Sequence, residues 1–130
     1  AIIMGRNTFE TVLTFGFWPY DVPVFVLSNS LHTIPGELAD KAKIVTGDLR
    51  KLVGQLSELG YQNLYIDGGK TIQGFLADDL IDEMIITRVP VLLGDGIPLF
   101  GKLAQQQKFN HLVTETFNNG LVQSRYSRSK

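Results

Sequence analysis

The residues of this chain that could do chemistry gather around two glycine turns. One is Met4-Gly5-Arg6-Asn7-Thr8, and the other is Leu64-Tyr65-Ile66-Asp67-Gly68-Gly69-Lys70-Thr71. Each follows a strand-like apolar run and leads into helical spacing. Glycine lets the backbone approach a bulky ligand because no Cβ stands in the way. A helix that begins there aims free N–H groups and the positive end of its dipole at the same spot, which suits a phosphate. Two such turns on one small chain point to a pyrophosphate cradle, and so to a dinucleotide cofactor.

The neighbouring side chains sharpen that reading and also supply its rivals. Arg6 offers a planar cation whose fork can donate two hydrogen bonds to one phosphate. The plainer alternative is that Thr8 caps a helix and Arg6 is merely solvated. Ser28 and Asn29 follow an apolar run, where they could meet a phosphate or close a side-chain turn. Asp67 could bind a hydroxyl or orient its loop, but beside a phosphate it would repel. Gly69-Lys70-Thr71 imitates the end of a P-loop, yet Leu64 stands where that motif needs glycine. Gly94-Asp95-Gly96 opens like a dinucleotide fingerprint, but Leu99 occupies the last glycine's place. No Ser–His–Asp arrangement or carboxylate pair is evident, and a cofactor that carries the chemistry itself would account for that.

Bulk properties narrow the field. The chain has 130 residues and a net charge of -1, with 44% hydrophobic and 19% charged residues. That suits one globular domain spanning residues 1–130 and gives no electrostatic case for nucleic acid or an anionic membrane. There is no cysteine, which excludes disulfides, thiol catalysis and zinc–thiolate sites. His32 and His111 lie too far apart to suggest metal-ligand spacing, so no metal is expected. No apolar run reaches the ~20 residues of a membrane span, and a cytoplasmic protein is the default. The chain opens directly on Ala1-Ile2-Ile3-Met4, already strand-like, so an N-terminal strand and helix are expected to precede it.

The elements that must position these residues can be read in order. Ile2 to Met4 is a short strand, and Thr8 to Thr14 a helix. Val24 to Leu27 is a continuous apolar run, as expected of a strand buried on both faces. Lys43 to Thr46 is a further strand. Asp48 to Leu59 is the clearest helix, with Leu49, Leu52, Val53, Leu56 and Leu59 on one face, Asp48 as cap and Gly60 as stop. Asn63 to Ile66 reads as a strand and Lys70 to Ala77 as a helix. Met84 to Leu93 is a long apolar strand interrupted by Pro90. His111 to Phe117 and Leu121 to Ser127 flank Asn118-Asn119-Gly120, a hairpin signal. The expected fold is α/β, with a mixed, mostly parallel sheet, helices on both faces and a C-terminal β-hairpin.

Four segments, taken together, resemble a known family. They are Ile3 to Glu10, Val24 to Ser28, Leu64 to Leu76, and Leu80 through Phe100, the last containing Pro90-Val91-Leu92-Leu93-Gly94-Asp95-Gly96. Their order and spacing resemble the dihydrofolate reductase superfamily, closest to the C-terminal reductase domain of riboflavin-biosynthesis deaminase–reductases and its stand-alone relatives. Asp67 before the glycine pair and the Pro90 to Gly96 run favour that branch. The resemblance implies NADPH as cofactor and a pterin-like or ribosylaminouracil-like substrate. By motif position, Gly5, Arg6, Asn7 and Thr8 would meet the pyrophosphate and 2′-phosphate side. Leu27, Ser28 and Asn29 would line the adenosine end. Asp67, Gly68, Gly69, Lys70 and Thr71 would hold the pyrophosphate and pack near the nicotinamide. In that family the substrate-binding carboxylate lies upstream of the Met-Gly-Arg motif, so no catalytic acid is assigned here. The resemblance also implies a homodimer. The alternatives are a nucleotide-binding domain without catalysis and a dimerisation domain.

Overall fold

The computed structural model describes residues 1–129. Strand β1 (Ile2–Gly5) runs into helix α1 (Arg6–Leu13). Strands β2 (Val24–Leu27) and β3 (Ala42–Val45) follow, separated by a short 3-10 turn at Gly36–Leu38. Helix α2 (Leu49–Glu58) leads to β4 (Tyr65–Asp67), and α3 (Gly69–Ala77) leads to β5 (Glu83–Arg88). Strands β6 (Phe109–Thr116) and β7 (Val122–Arg128) close the described chain.

The first four strands form a parallel sheet in the order β3-β2-β1-β4. Alternation along β1 distributes its side chains to two cores, since successive residues of a strand face opposite ways. Met4 packs with Phe9 of α1 and with Val24 and Val26 of β2. Ile3 packs on the other face with Phe25, with Leu52 and Leu56 of α2 and with Phe75 of α3. Helix α1 therefore covers one face, and α2 and α3 cover the other. Each side chain wholly buried this way contributes roughly 1.5–3 kcal/mol. Helix α2 starts where its sequence says it should, because the Asp48 carboxylate accepts a hydrogen bond from the Lys51 N–H at 3.0 Å.

The α/β fold with its parallel sheet, flanking helices and C-terminal hairpin is the one expected, but the strands divide between two sheets. The second sheet is antiparallel, in the order β5-β7-β6. Its hairpin turns where Gly120 adopts a φ of +89° and its N–H donates to the Phe117 carbonyl at 3.0 Å. The expected strand from Met84 to Leu93 is corrected: β5 stops at Arg88. Pro90 has no N–H for a ladder, and the Val91 N–H bonds back to the Val89 carbonyl at 2.8 Å. That is a three-residue turn, and it carries Val89 to Leu93 out of the sheet. The first helix likewise begins earlier than expected, at Arg6, so Thr8 lies inside it and does not cap it.

Candidate active site

The chain order reverses between β1 and β4. From β1 the connections run outward to β2 and β3, whereas β4 lies on β1's other side. In an open α/β sheet, ligands bind at such a switch point, outside the carboxyl ends of the strands. Both glycine turns end at this place. Met4 pairs with Asp67 in the parallel register, so Gly5 and Gly68 follow the last paired residues of adjacent strands. Leu27 pairs with Gly5 from the opposite side, which brings the end of β2 to the same edge. The three predicted segments, Gly5 to Thr8, Leu27 to Asn29 and Asp67 to Thr71, thus share one rim of the sheet.

Helices α1 and α3 start on this rim with glycine as the N-cap of each and no side-chain capping bond. Their first-turn N–H groups and positive dipole ends are left to whatever approaches the rim. The glycines have different reasons for being glycine. A Cβ at Gly5 would meet Thr71 Oγ1 at 2.8 Å, and one at Gly68 would meet Thr8 Oγ1 at 2.6 Å. Each turn is therefore packed by the threonine of the other helix, and these two glycines serve the close approach of α1 and α3. Gly68 also has a φ of +97°, which disfavours any other residue. Gly69 differs, because nothing lies within 4 Å of where its Cβ would stand. Of the paired glycines, Gly69 is the one whose bare backbone faces open space.

Arg6 reaches across the rim. Its Nε pairs with Glu10 one helical turn on, and Nη1 donates to Ser30 Oγ at 2.8 Å. Ser30 in turn lies 3.3 Å from the Ser28 hydroxyl. Ser28 is occupied locally, its Oγ accepting from the N–H groups of Ser30 and Leu31 at 3.2 and 3.0 Å. The side-chain turn foreseen as the plainer reading of Ser28 is thus what forms. Asn29 and Lys70 are exposed on the rim, and Thr71 is half-buried against Gly5.

A cleft of about 340 Å³ opens beside the rim on the α1 face. Asn7, Thr8, Thr11 and Val12 line it from α1, Phe15 and Tyr20 from the loop that follows, and Asp67 from the end of β4. The register explains Asp67: its neighbour Met4 points into the α1-side core, and directly paired residues share a face. Tyr20 is held by Trp18, whose ring meets it edge-on at 5.2 Å, while Trp18 meets Phe9 at 6.1 Å. Burial first, then the charge of Asp67 and the neighbouring Tyr65, raises the Tyr20 phenol above its ordinary value. Tyr20, Thr11, Val12 and Phe15 were not singled out from sequence. The nearest signal was the aromatic pair Trp18 and Tyr20 around Pro19 in a loop, which does not say where the loop folds. Among the described residues no cluster of His, Cys, Asp or Glu could hold a metal ion. Nor is any helix among them long and apolar enough to cross a membrane.

Comparison with known proteins agrees with this architecture. A family model described as the RibD C-terminal domain matches residues 1–123. The chain is 34% identical over 132 residues to an uncharacterized protein, YwjB, of Bacillus subtilis (strain 168), covering 99% of this chain and 74% of that one. A crystal structure from Shewanella sp. PV-4, provisionally named for riboflavin biosynthesis, superposes with a TM-score of 0.95 at 48% identity, covering 99% of this chain and 73% of that one. RibD of Acinetobacter baumannii shares the fold, with a TM-score of 0.72 at 22% identity over 99% of this chain and 47% of its own.

Proposed function

Since this chain belongs to the RibD C-terminal domain family, we propose that it is an NADPH-dependent reductase acting on a ribosylaminopyrimidine or pterin-like acceptor. One observation carries the reading. Two uncapped helix N-termini flank adjacent glycine turns at the switch point of the sheet, next to a cleft that ends in a carboxylate. The residues present fit the cofactor: the open space at Gly69 is the cradle a Cβ would fill, and the free first-turn N–H groups suit a pyrophosphate. Gly5, Asn7, Thr8, Gly68, Gly69, Lys70 and Thr71 would hold the diphosphate region. Leu27, Ser28 and Asn29 would border the adenosine, and Arg6 would read the 2′-phosphate.

When bound, NADPH supplies a hydride. The protein's own part is to hold and to exclude. Val12 and Phe15 give the cleft an apolar lining that sheds water from the reacting region. Arg6 is already drawn towards the β2 rim by Ser30, so less of its freedom is lost when a phosphate arrives. Asp67 lines the cleft on the α1 side together with Asn7 and Thr8, where it would border the pyrophosphate and nicotinamide. A cytoplasmic setting belongs to the same proposal.

The test is single-turnover oxidation of NADPH, followed by its absorbance, with candidate acceptors. Oxidation that depends on both the protein and a ribosylaminopyrimidine or pterin supports the reading. Saturable NADPH binding with no oxidation by any acceptor would favour a nucleotide-binding module instead.

A further inference from the structure

Two polar groups in the cleft have no use within the protein. Among the described residues neither the Tyr20 hydroxyl nor the Asp67 carboxylate has a protein hydrogen-bond partner. Both line the same cleft of about 340 Å³. Both also belong to the α1 side of the sheet: Asp67 by its register with Met4, and Tyr20 by packing on the Met4–Phe9 core. Tyr65 shares that face through its pairing with Ile2 and is 68% exposed beside them. A half-buried polar group without a partner forfeits hydration unless something else supplies a bond. In a cleft lined also by Asn7, Thr8, Thr11, Val12 and Phe15, a ligand can supply it.

The two groups are chemically complementary. Burial and the nearby Asp67 charge both favour the protonated phenol, so Tyr20 stays a donor through neutral pH. Asp67, as a carboxylate, only accepts. Side by side, they present one donor and one acceptor to whatever enters. Tyr20 is also pre-positioned, because Trp18 packs edge-on against it and is itself packed on Phe9. Little rotamer freedom remains to be lost on binding.

We propose that Tyr20 is a specificity-determining residue of this cleft, donating to a carbonyl or ring nitrogen of the acceptor substrate while Asp67 accepts from an adjacent N–H or O–H. The recognised edge is that of a cyclic amide or aminopyrimidinone, neutral at that end. The proposal deepens the reductase reading and rests on it for the identity of the acceptor.

Tyr20→Phe removes only the hydroxyl and keeps the ring that packs on Trp18. Five quantities are measured on wild type and variant: binding of diaminouracil to the cofactor-free protein by calorimetry, binding of NADPH by fluorescence, steady-state KM and kcat, and the melting temperature. The expected result is diaminouracil affinity about five- to tenfold weaker in the variant, the usual effect of one lost hydrogen bond. KM for the acceptor rises by a similar factor, while kcat, NADPH affinity and melting temperature hold. Equal diaminouracil affinity in both proteins, or none in the wild type, overturns the proposal. So does an equal loss of NADPH affinity, which would place Tyr20 on the cofactor. Tyr20-dependent diaminouracil binding in a protein that never oxidises NADPH would sink the reductase reading and leave the donor–acceptor pair standing.

Discussion

Arg6 and Tyr20 act through chemistry that single substitutions can isolate. The Arg6–Glu10 pair is half-exposed, and such pairs add little to stability, about 0.3–0.5 kcal/mol for this spacing. Arg6→Ala should therefore leave the fold intact. If the guanidinium reads a 2′-phosphate, the variant loses roughly 1.5–3 kcal/mol of NADPH binding through a missing charge-assisted bond, while NADH binding barely changes. Parallel titrations with the two cofactors measure this, and equal losses would remove Arg6 from that role. Tyr20 gives a pH signature. Its folded-state value is raised above the unfolded one. The stability this provides is fully present below about pH 10, the ordinary tyrosine range, and is lost as pH rises through the higher folded value. Thermal melts in alkaline buffers should show a shallower decline for Tyr20→Phe than for wild type. Identical slopes would mean that Asp67 and burial do not act on the phenol as described.

At the scale of elements, the reciprocal packing of the two turns is the constraint on which the site depends. Gly68→Ala meets both a φ of +97° and Thr8 Oγ1 at 2.6 Å. The expected loss is about 1–3 kcal/mol, read by urea unfolding. Adding Thr8→Ala should recover only part of it, because the backbone strain stays; full recovery would show that the clash alone mattered. Much of this level was legible in the residues. Leu52 and Leu56 of α2 are buried where their spacing put them, Asp48 caps that helix, and Gly120 turns the hairpin. Those signals are local: a period, a cap, a turn. The juxtaposition of Gly5 and Gly68 was also foreseen, because parallel strands joined by helices bring their carboxyl ends to one side. What could not be read was contact between distant segments. That Gly5 answers to Thr71 and Gly68 to Thr8 follows from how α1 and α3 meet across the switch point. Tyr20 enters the cleft because Trp18 anchors its loop on Phe9, and no periodicity in residues 14–23 announces that.

At the scale of the whole molecule, the exposed apolar surface is unevenly placed. Leu92, Leu93 and Ile97 are 98%, 83% and 94% exposed, and Val89, Val91, Phe117 and Val122 are also exposed. Pro90 lies against the β6–β7 turn, where it would contact a Cβ at Gly120 at 3.0 Å. This gathers Val89, Val91 and Phe117 at one end of the antiparallel sheet. Extended apolar surface of this kind is typical of interaction sites. A two-fold contact with a second copy would bury the same patch on both sides, which fits the homodimer expected by resemblance. Light scattering at micromolar protein should give the mass of two chains, and Leu92→Glu with Leu93→Glu should give one. A wild-type mass of one chain would contradict that assembly.

The central claim is that a diphosphate rests on bare backbone at the rim, and Gly69 is the place to test it. A Cβ there touches nothing in the protein, and alanine is a better helix former than glycine. Calorimetric titration of NADPH into wild type and Gly69→Ala is the most direct measurement. Saturable binding to wild type, weakened at least about tenfold in a variant that melts no lower, is the predicted result. No binding to wild type, or equal affinity in the two proteins, would contradict it.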